Sequence, residues 1–323
     1  IRDSNKGQIY DKRGYMIGYL LNLGSWSYSI NSKLPIYELP NGNLVVVSTH
    51  SRSYSRSRSS NIKLIIYNKN GSMIEEKDVT LESNWQNCIP ELMPMDDGSF
   101  IIFWLPISYR HSRITIGGER LRYVHTAEVL GQKYSANIEK IGPRVRVVNN
   151  IYSKPSSYVS DFNLGAIKLN NSFVVYYGNG TNIWGKIYNI TTGQLVHSFE
   201  KGHNNRESSR ADLPTIVLHR DGGFLLFYIN HPSTIRVQPY SQNGEKNGDE
   251  KTLLTLSEPI TKKHMKIVGK YMLIYSTNSN VYNIKLGESD LSVIGAPSIV
   301  NTYTIDSQKG QDAIMFDDGS FVI

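Results

Sequence analysis

Short turns followed by dense apolar runs recur six times along this chain of 323 residues. The clearest examples are MDDGSFIIFW at residues 95–104 and HRDGGFLLFY at residues 219–228. A Gly-, Asn- or Asp-containing turn before a run of aromatic and β-branched residues predicts a hairpin that opens into a strand. The residues that open the six runs, the anchors, are Leu44, Phe100, Phe173, Phe224, Tyr271 and Phe321.

A second signal follows most anchors and has the form hydrophobic-Tyr-Asn/Asp, then two or three residues, then Gly. Four copies are clear: IYDKRG from Ile9, IYNKNG from Ile66, IYNITTG from Ile187 and VYNIKLG from Val281. Two are loose, AEVLG at 127–131 and QPYSQNG at 238–244. We interpret this signal as a second turn in each repeat. The anchors lie 56, 73, 51, 47 and 50 residues apart, and a period near 50 indicates a propeller or a repeat array.

The apolar runs are continuous rather than alternating. FIIFW, FVVYY, FLLFY and YMLIY are apolar at successive positions, so both faces of each strand must be covered. Stacked blades cover both faces of a strand. The pattern therefore predicts an all-β, six-bladed β-propeller with four-stranded antiparallel blades.

The ends of the chain fit one shared blade. Joining Ile323 to Ile1 places Phe321 46 residues before Leu44, close to the other spacings. The whole chain, 1–323, is then predicted to be one propeller domain, and the alternative is a fragment of a longer propeller or repeat array. About twenty extra residues enlarge the second blade between Ile107 and Asp161, and we expect them to extend its outer strands or to make a contact. The predicted blades span 31–85, 86–157, 158–208, 209–256, 257–295, and 296–323 completed by 1–30.

Composition excludes some structural features but does not indicate a function. The single cysteine, Cys88, excludes an intrachain disulfide, and we interpret it as a buried small apolar residue. No apolar stretch reaches the roughly 18 residues of a membrane-spanning helix, so no transmembrane segment is expected. Four Asn-x-Ser/Thr sequons are candidate glycosylation sites. They begin at Asn70, Asn170, Asn179 and Asn189.

Two arginine-containing segments are the best candidate for a binding surface. STHSRSYSRSRSS at 48–60 is the longest predicted loop between a second and a third strand, and PISYRHSR at 106–113 is the corresponding segment of the next blade. Guanidinium groups bind carboxylate, sulfate and phosphate, and the net charge of +7 favours an anionic partner. The competing interpretation is a solvated Ser/Arg loop without a ligand. The candidates are Arg52, Arg56, Arg58, Tyr109, Arg110 and Arg113, with Tyr54 and His111 among them.

Metal binding has little support in the sequence. Aspartates recur beside glycine in the first turns, as Asp96, Asp97, Asp221, Asp317 and Asp318. A calcium loop needs oxygen ligands at alternating positions and a distal acid, and that pattern is missing. We interpret these aspartates as residues of hairpin turns and expect neither a metal nor a cofactor.

Catalysis has no clear motif either. The G-x-S-x-G elbow is missing, and so is the S-x-D-x-G-x-T-W turn of some propeller glycosidases. Glu91, Asp161 and Asp212 fall in predicted links between blades, where a pair of carboxylates about 5 to 9 Å apart would suit glycoside hydrolysis. A surface or capping role competes with that interpretation.

The repeat as a whole resembles a known class of propeller. A proline stands about ten residues before several anchors, and L-x-D/N-G-x-F-V-V-x-W/Y and I-Y-D/N-x-x-G follow it. This combination is similar to the degenerate β-propeller repeats of secreted and cell-surface proteins of bacteria and protists, and distantly to NHL-type repeats. The resemblance implies a fold and an extracellular or cell-surface location far more than an activity. The prolines are Pro35, Pro90, Pro214 and Pro259.

We therefore predict a non-enzymatic extracellular module that binds or assembles. Its expected partners are other copies of itself, an acidic glycan or an acidic protein surface, and nucleic acid is not expected. The subunit of a surface fibre and an adhesive, glycan-binding propeller are two forms of this hypothesis. The alternative function is a propeller-fold glycoside hydrolase or lyase that acts on an acidic polysaccharide.

Overall fold

The computed structural model describes most of the chain, in segments separated by short gaps. The described residues are 4–10, 15–25, 35–54, 57–79, 87–110, 114–116, 119–121, 124–152, 162–179, 182–202, 214–230, 233–258, 260–268, 271–277, 280–300, 314–315 and 321–322. All regular elements in these segments are β-strands. The chain forms two compact units, Ile1–Lys168 and Leu169–Ile323, and each is described by itself.

The described residues of the first unit form thirteen strands. They are β1 (Ser4–Tyr10), β2 (Met16–Ser25), β3 (Ile36–Glu38), β4 (Leu44–Tyr54), β5 (Ser57–Tyr67), β6 (Met73–Asp78), β7 (Asn87–Pro94), β8 (Phe100–Arg110), β9 (Ile114–Ile116), β10 (Glu119–Leu121), β11 (Val124–Tyr134), β12 (Lys140–Tyr152) and β13 (Phe162–Lys168).

The second unit contains the other thirteen strands of the described residues. They are β14 (Ser172–Asn179), β15 (Asn182–Asn189), β16 (Leu195–Gly202), β17 (Thr215–Leu218), β18 (Phe224–Asn230), β19 (Thr234–Tyr240), β20 (Lys251–Thr255), β21 (Ile260–Val268), β22 (Met272–Thr277), β23 (Val281–Leu286), β24 (Val293–Ile299), β25 (Ile314–Met315) and β26 (Phe321–Val322).

Five sheets have four strands each, in the orders β3-β4-β5-β6, β7-β8-β11-β12, β13-β14-β15-β16, β17-β18-β19-β20 and β21-β22-β23-β24. We call them the first to the fifth blade. β1 pairs with β2 and β25 with β26 as separate two-stranded sheets, which are the two halves expected for a sixth blade. The all-β architecture of four-stranded antiparallel blades is thus confirmed. That the two terminal hairpins join, and that both units form one domain, stay predictions.

The extra length of the second blade extends its outer strands, as expected. β11 has 11 residues and β12 has 13. The insertion also adds the small β9/β10 hairpin between β8 and β11.

The apolar runs are buried on both faces, as their continuous pattern predicts. Val45, Val46 and Val47 in β4 are 0% exposed. Val45 and Val47 pack with Phe100 and Trp104 of the second blade, whereas Val46 packs with Leu21 of β2. Alternate residues of one strand therefore contact different sheets. In the second unit, side chains of the fourth and fifth blades likewise form one cluster.

The two repeated sequence signals are the two halves of one cross-strand contact. In the first four blades, the anchor lies at or next to the start of the second strand, and a Tyr near the end of the third strand lies directly opposite it. Three of these pairs are stacked aromatic rings, with centroids 5.0 to 5.5 Å apart. Such stacking adds stability beyond the buried area. The pairs are Leu44 with Tyr67, Phe100 with Tyr134, Phe173 with Tyr188, and Phe224 with Tyr240.

The second turn of each of the first four blades has a repeated polar bond. The side-chain oxygens of Asn68, Ser135, Asn189 and Ser241 each accept hydrogen bonds from two backbone amides of their own turn. A side chain of this type stabilises a turn by replacing a backbone acceptor.

Two second turns lie elsewhere than the sequence indicated. The glycine of AEVLG, Gly131, is inside β11, opposite Phe103, and the turn comes later, at residues 135–138. The glycine has a packing role instead, because a Cβ there would lie 2.9 Å from the Phe103 ring. In the fifth blade, Val281 begins β23 rather than ending it. The turn there follows Gly287, whose amide donates to the Ser292 carbonyl.

Removing one ring of the Phe100–Tyr134 pair tests the cross-strand contact. Phe100 is 0% exposed, so Phe100→Ala should lower the free energy of unfolding by roughly 3–5 kcal/mol. Tyr134→Phe is the matched control, because the Tyr134 hydroxyl is buried without a hydrogen-bond partner among the described residues. Losing that hydroxyl should cost less than about 0.5 kcal/mol or stabilise the protein slightly. Urea unfolding followed by tyrosine fluorescence measures both, and equal losses would contradict this account of the pair.

Two glycines in the same kind of turn separate backbone strain from packing. Gly193 and Gly244 have φ of +68° and +86°, so alanine at either should cost about 1–2 kcal/mol in the left-handed region. Only at Gly244 would a Cβ also collide, 2.2 Å from Ile187 Cδ1. Gly244→Ala should therefore reduce the urea midpoint clearly more than Gly193→Ala. Equal midpoints would show that the turn moves to accept the methyl group.

Candidate binding surface

The β4/β5 hairpin of the first blade is longer than its buried core requires. Its ladder runs without a register shift from Leu44 opposite Tyr67 to Tyr54 opposite Ser57. β4 has 11 residues, whereas the second strands of the third, fourth and fifth blades have 8, 7 and 6. The extra pairs lie at residues 48–60, which we call the first arm.

The prediction that residues 48–60 form a loop is therefore wrong for the described part of that segment. A run of apolar residues is the pattern that predicts a strand from sequence, and this segment has almost no apolar residues. The hydrogen bonds of a β-ladder are made by the backbone, so Ser and Arg side chains on both faces do not prevent the hairpin from continuing.

The second blade carries a comparable extension. β8 pairs with β11 from Phe100 opposite Tyr134 to Arg110 opposite Val124, and β9 with β10 adds three further pairs. The predicted loop at 106–113 is thus a strand as far as Arg110. We call residues 106–125 the second arm.

The described arginines of both arms lie opposite uncharged residues, which avoids the repulsion of like charges placed directly across a ladder. Arg52 and Arg58 are on opposite faces of the first arm, because directly opposed residues share a face and successive residues alternate. Tyr109 and Arg110 are successive, so they too lie on different faces of their ladder. Arg56, Arg113 and His111 lie outside the described residues. The pairs are Arg52 with Ser59, Arg58 with Ser53, Tyr54 with Ser57, Tyr109 with His125, Arg110 with Val124, and Arg120 with Thr115.

The two arms hold most of the excess charge of the protein. Residues 48–60 contain three arginines and no acidic residue, and residues 106–125 contain four arginines and one glutamate. Together they carry six of the seven net positive charges of the chain. Charge concentrated in this way favours an anionic partner at the arms.

Both arms extend from the same end of neighbouring blades. Each connects a second strand to a third, so it is opposite the tight turns that connect strands one to two and three to four. Side chains of the first blade pack directly on the second. The fold therefore places the two arginine-containing segments at the same end of neighbouring blades.

A charged cluster is also present in the second unit. Glu250 forms ion pairs with Lys201 and with Arg236, whose Nη1 lies 2.6 Å from Glu250 Oε1. Lys201 Nζ is 5.3 Å from the centre of the Tyr228 ring, within reach of a cation–π contact. Burial raises the pKa of Glu250, but hydrogen bonds from Lys201, Tyr228 and Arg236 outweigh it and lower that pKa to about 2. We interpret the cluster as structural, since both cations are already used.

The turn aspartates act as turn residues where they are described. Asp97 Oδ1 accepts hydrogen bonds from the Ser99 hydroxyl and amide, at 2.5 and 2.9 Å, and these bonds lower the Asp97 pKa. Asp221 Oδ1 accepts from the Gly223 amide at 3.0 Å and pairs with His219 Nδ1 at 2.7 Å. The interpretation as hairpin turns is confirmed for both.

Of the three candidate carboxylates, only Glu91 lies in the described part of the chain. Glu91 lies inside β7, opposite Phe103, rather than in a link between blades as predicted. Asp161 and Asp212 lie outside the described residues, so their pairing stays a prediction.

Cys88 is also in β7, but its side chain is outside the described part, so its burial stays a prediction. Asn70 and Asn170 are exposed in turns, and Asn189 is partly buried. Asn179 is the last residue of β14. Use of these sequons for glycosylation is untested.

Two observations on ion and membrane sites concern the described residues only. Within them, no group of three or more His, Cys, Asp or Glu side chains is placed to hold a metal ion. None of their elements is a helix long and apolar enough to cross a membrane.

Comparison with known proteins identifies the fold. No protein-family model and no curated protein sequence matches the chain. A protein of unknown function from Dyadobacter fermentans is similar at 10% identity and a TM-score of 0.53, over 88% of this chain and 86% of that one. The Dos1 propeller is similar at 9% identity and a TM-score of 0.52, over 97% of this chain and 68% of that one. Likeness at this identity shows that the chain has a β-propeller fold, and it shows nothing about activity.

The Glu250 cluster predicts a specific pH dependence of stability. Because the pKa of Glu250 is lowered from 4.5 to about 2 in the folded protein, its contribution is present above pH 4.5 and is lost as the pH falls towards 2. Glu250→Gln should lower the free energy of unfolding at neutral pH by roughly 1–3 kcal/mol and flatten the decline below pH 4.5. Glu245→Gln, at an exposed residue, is the control. Urea titrations at several pH values measure it, and parallel curves for wild type and Glu250→Gln would contradict it.

Proposed function

We propose that this protein is a non-enzymatic, extracellular binding module whose two arms hold an acidic polysaccharide. The observation that carries the proposal is the placement of six of the seven net positive charges on two hairpins at the same end of neighbouring blades. The ligand class follows from the chemistry of the arms. A linear polyanion can contact both arms at once, whereas a small anion would contact one.

The residue types of the arms suit such a ligand. Arginine forms paired hydrogen bonds with carboxylate and sulfate groups, and tyrosine combines an apolar ring with a polar hydroxyl. The first arm also contains seven serines between residues 48 and 60, which provide uncharged donors beside the arginines. Arginines on both faces of the first arm would let a chain wrap around the hairpin rather than lie on one side.

Hydrolysis of the glycan is not part of this proposal. The enzyme hypothesis depends on two carboxylates at a fixed separation, and Glu91 is the single candidate of the three that lies in the described residues. An extracellular or cell-surface location belongs to the proposal because acidic polysaccharides are found there, and the resemblance to secreted repeats supports it.

Removal of arm arginines tests the proposal. We expect wild-type protein to bind immobilised heparin and to elute with salt, because screening weakens contacts between exposed charges. Arg52→Ser combined with Arg58→Ser and Arg110→Ser should weaken binding at least about tenfold, at roughly 1.4 kcal/mol per factor of ten. Surface plasmon resonance at two salt concentrations measures the change.

Charge-matched controls keep this test specific. Lys140, Arg144 and Arg146 lie on β12, outside both arms, so replacing these three with Ser removes the same charge and should leave most of the binding. Neutral dextran should not bind. Equal losses for both triple variants would show that net charge, not the arms, causes retention, and that result would contradict the proposal. Stronger retention on single-stranded DNA than on heparin would also contradict it.

A further inference from the structure

The outer edges of the first two blades combine exposed apolar residues with a net charge. In the described part of the chain, no strand pairs with the outer edge of β6 or of β12. Met73 and Ile74 in β6 are 59% and 54% exposed, and Ile141 and Val145 in β12 are 43% and 52% exposed. An exposed edge with apolar side chains is a template for pairing with another strand.

The charges of the two edges are opposite. β6 has the sequence MIEEKD, with three acidic residues and one lysine. β12 begins KIGPRVRVV and contains one lysine, two arginines and no acidic residue. Like charges placed directly opposite each other destabilise a β-ladder, whereas opposite charges stabilise it. Pairing of β6 with β6, or of β12 with β12, is therefore disfavoured, and pairing of β6 with β12 is favoured.

One antiparallel register satisfies the charge contacts. With Glu76 of one copy opposite Arg146 of another, Asp78 falls opposite Arg144, and the exposed Val145 lies between the two arginines. Glu76, Asp78, Arg144 and Arg146 are all exposed. Within one copy Glu76 pairs with Lys63 and Arg146 with Glu128, but such partly exposed ion pairs are weak and can be shared or exchanged.

Pro143 limits where this contact can form. Proline cannot donate to a ladder and is found at sheet edges, and Gly142 beside it has φ of +66°. The ladder of β12 with β11 also shifts register between Val148 and Arg146 and between Val145 and Ile141, so we expect the contact to be short and centred on Val145 and Arg146.

We propose that copies of this chain associate head to tail, with the acidic outer edge of β6 in one copy adding to the basic outer edge of β12 in the next. The contact is heterologous, since different surfaces of the two copies meet. A pair of copies then retains one unused β6 edge and one unused β12 edge, so association continues into open chains unless the geometry closes a ring. This inference is independent of glycan binding at the arms.

Two single-edge variants test the proposal by complementation. The acid-edge variant carries Glu76→Lys and Asp78→Lys, and the base-edge variant carries Arg144→Glu and Arg146→Glu. Wild-type protein should form concentration-dependent oligomers at low salt and dissociate at high salt, where opposite charges are screened. Each variant alone should be a monomer. An equal mixture should assemble again into alternating chains. The intact β12 of the acid-edge variant can pair with the intact β6 of the base-edge variant, and the two reversed edges are also opposite in charge.

Sedimentation velocity measures these outcomes, and circular dichroism with thermal melting checks that each variant is folded. A chain with all four substitutions should assemble again, since its charges are exchanged rather than removed. Arg52→Ser with Arg58→Ser should assemble like wild type even if it no longer binds heparin, which separates this proposal from the proposed function.

Three results would overturn the inference. The first is a wild-type protein that stays monomeric at low salt and high concentration. The second is a folded single-edge variant that assembles alone as wild type does. The third is a mixture of the two variants that remains monomeric.

Discussion

The structure depends on burying both faces of the second strand in each described blade. A strand in a half-exposed sheet needs apolar residues at every other position, but here successive residues must all be apolar because different sheets pack on the two faces. Val45 and Val46 show this directly, since they are neighbours in β4 and belong to different clusters. Sequence change is therefore restricted in the strand centres and tolerated at turns, hairpin ends and outer edges. The arms and the charged edges of β6 and β12 all lie in these tolerant places.

The cross-strand aromatic pair fixes the register between the second and third strands, which burial of apolar residues alone does not specify. A continuous apolar strand specifies its pairing poorly, because a shift by one residue still places an apolar side chain on each face. Stacking of Phe100 on Tyr134, or of Phe224 on Tyr240, distinguishes one alignment of the second and third strands from its neighbours. The turn oxygen that follows each tyrosine, such as Ser135 or Ser241, then fixes the next reversal of the chain.

The sequence predicted the features that recur along the chain because the packing requires them in several blades. It missed the features that occur in only one or two blades. Anchors and tyrosines recur because the first four blades share the same pair, so the strands and most turns were predictable. The position of the fifth blade's turn was not predictable. VYNIKLG has the same residue types as the other second signals, but its Val281 begins β23 instead of ending it. The arms were missed as strands, since a Ser/Arg hairpin uses backbone pairing without an apolar pattern. Glu91 was placed in a link because the short apolar stretch of β7 resembles a loop.

Positions that lack the expected turn glycine show how strain is offset. Ile138, Tyr271 and Leu291 have φ of 66°, 65° and 58°, which costs a residue with a side chain about 1–2 kcal/mol. All three are apolar and no more than 8% exposed, and burial of such a side chain contributes about 1.5–3 kcal/mol. Glycine is thus replaced in these turns by a side chain that packs into the core.

The distribution of charge also decides how copies of this protein can approach one another. With six of the seven net charges on the arms, the rest of the chain is close to neutral, so long-range repulsion between two copies is concentrated at one end of the first two blades. Approach with arms facing arms is disfavoured, whereas approach of the acidic β6 edge towards a basic surface is favoured. The arms and β12 are both basic, and both have unpaired backbone edges in the described residues. Exposed apolar residues beside the β12 edge distinguish it from the arms, because they gain from being covered and the Ser/Arg arms do not.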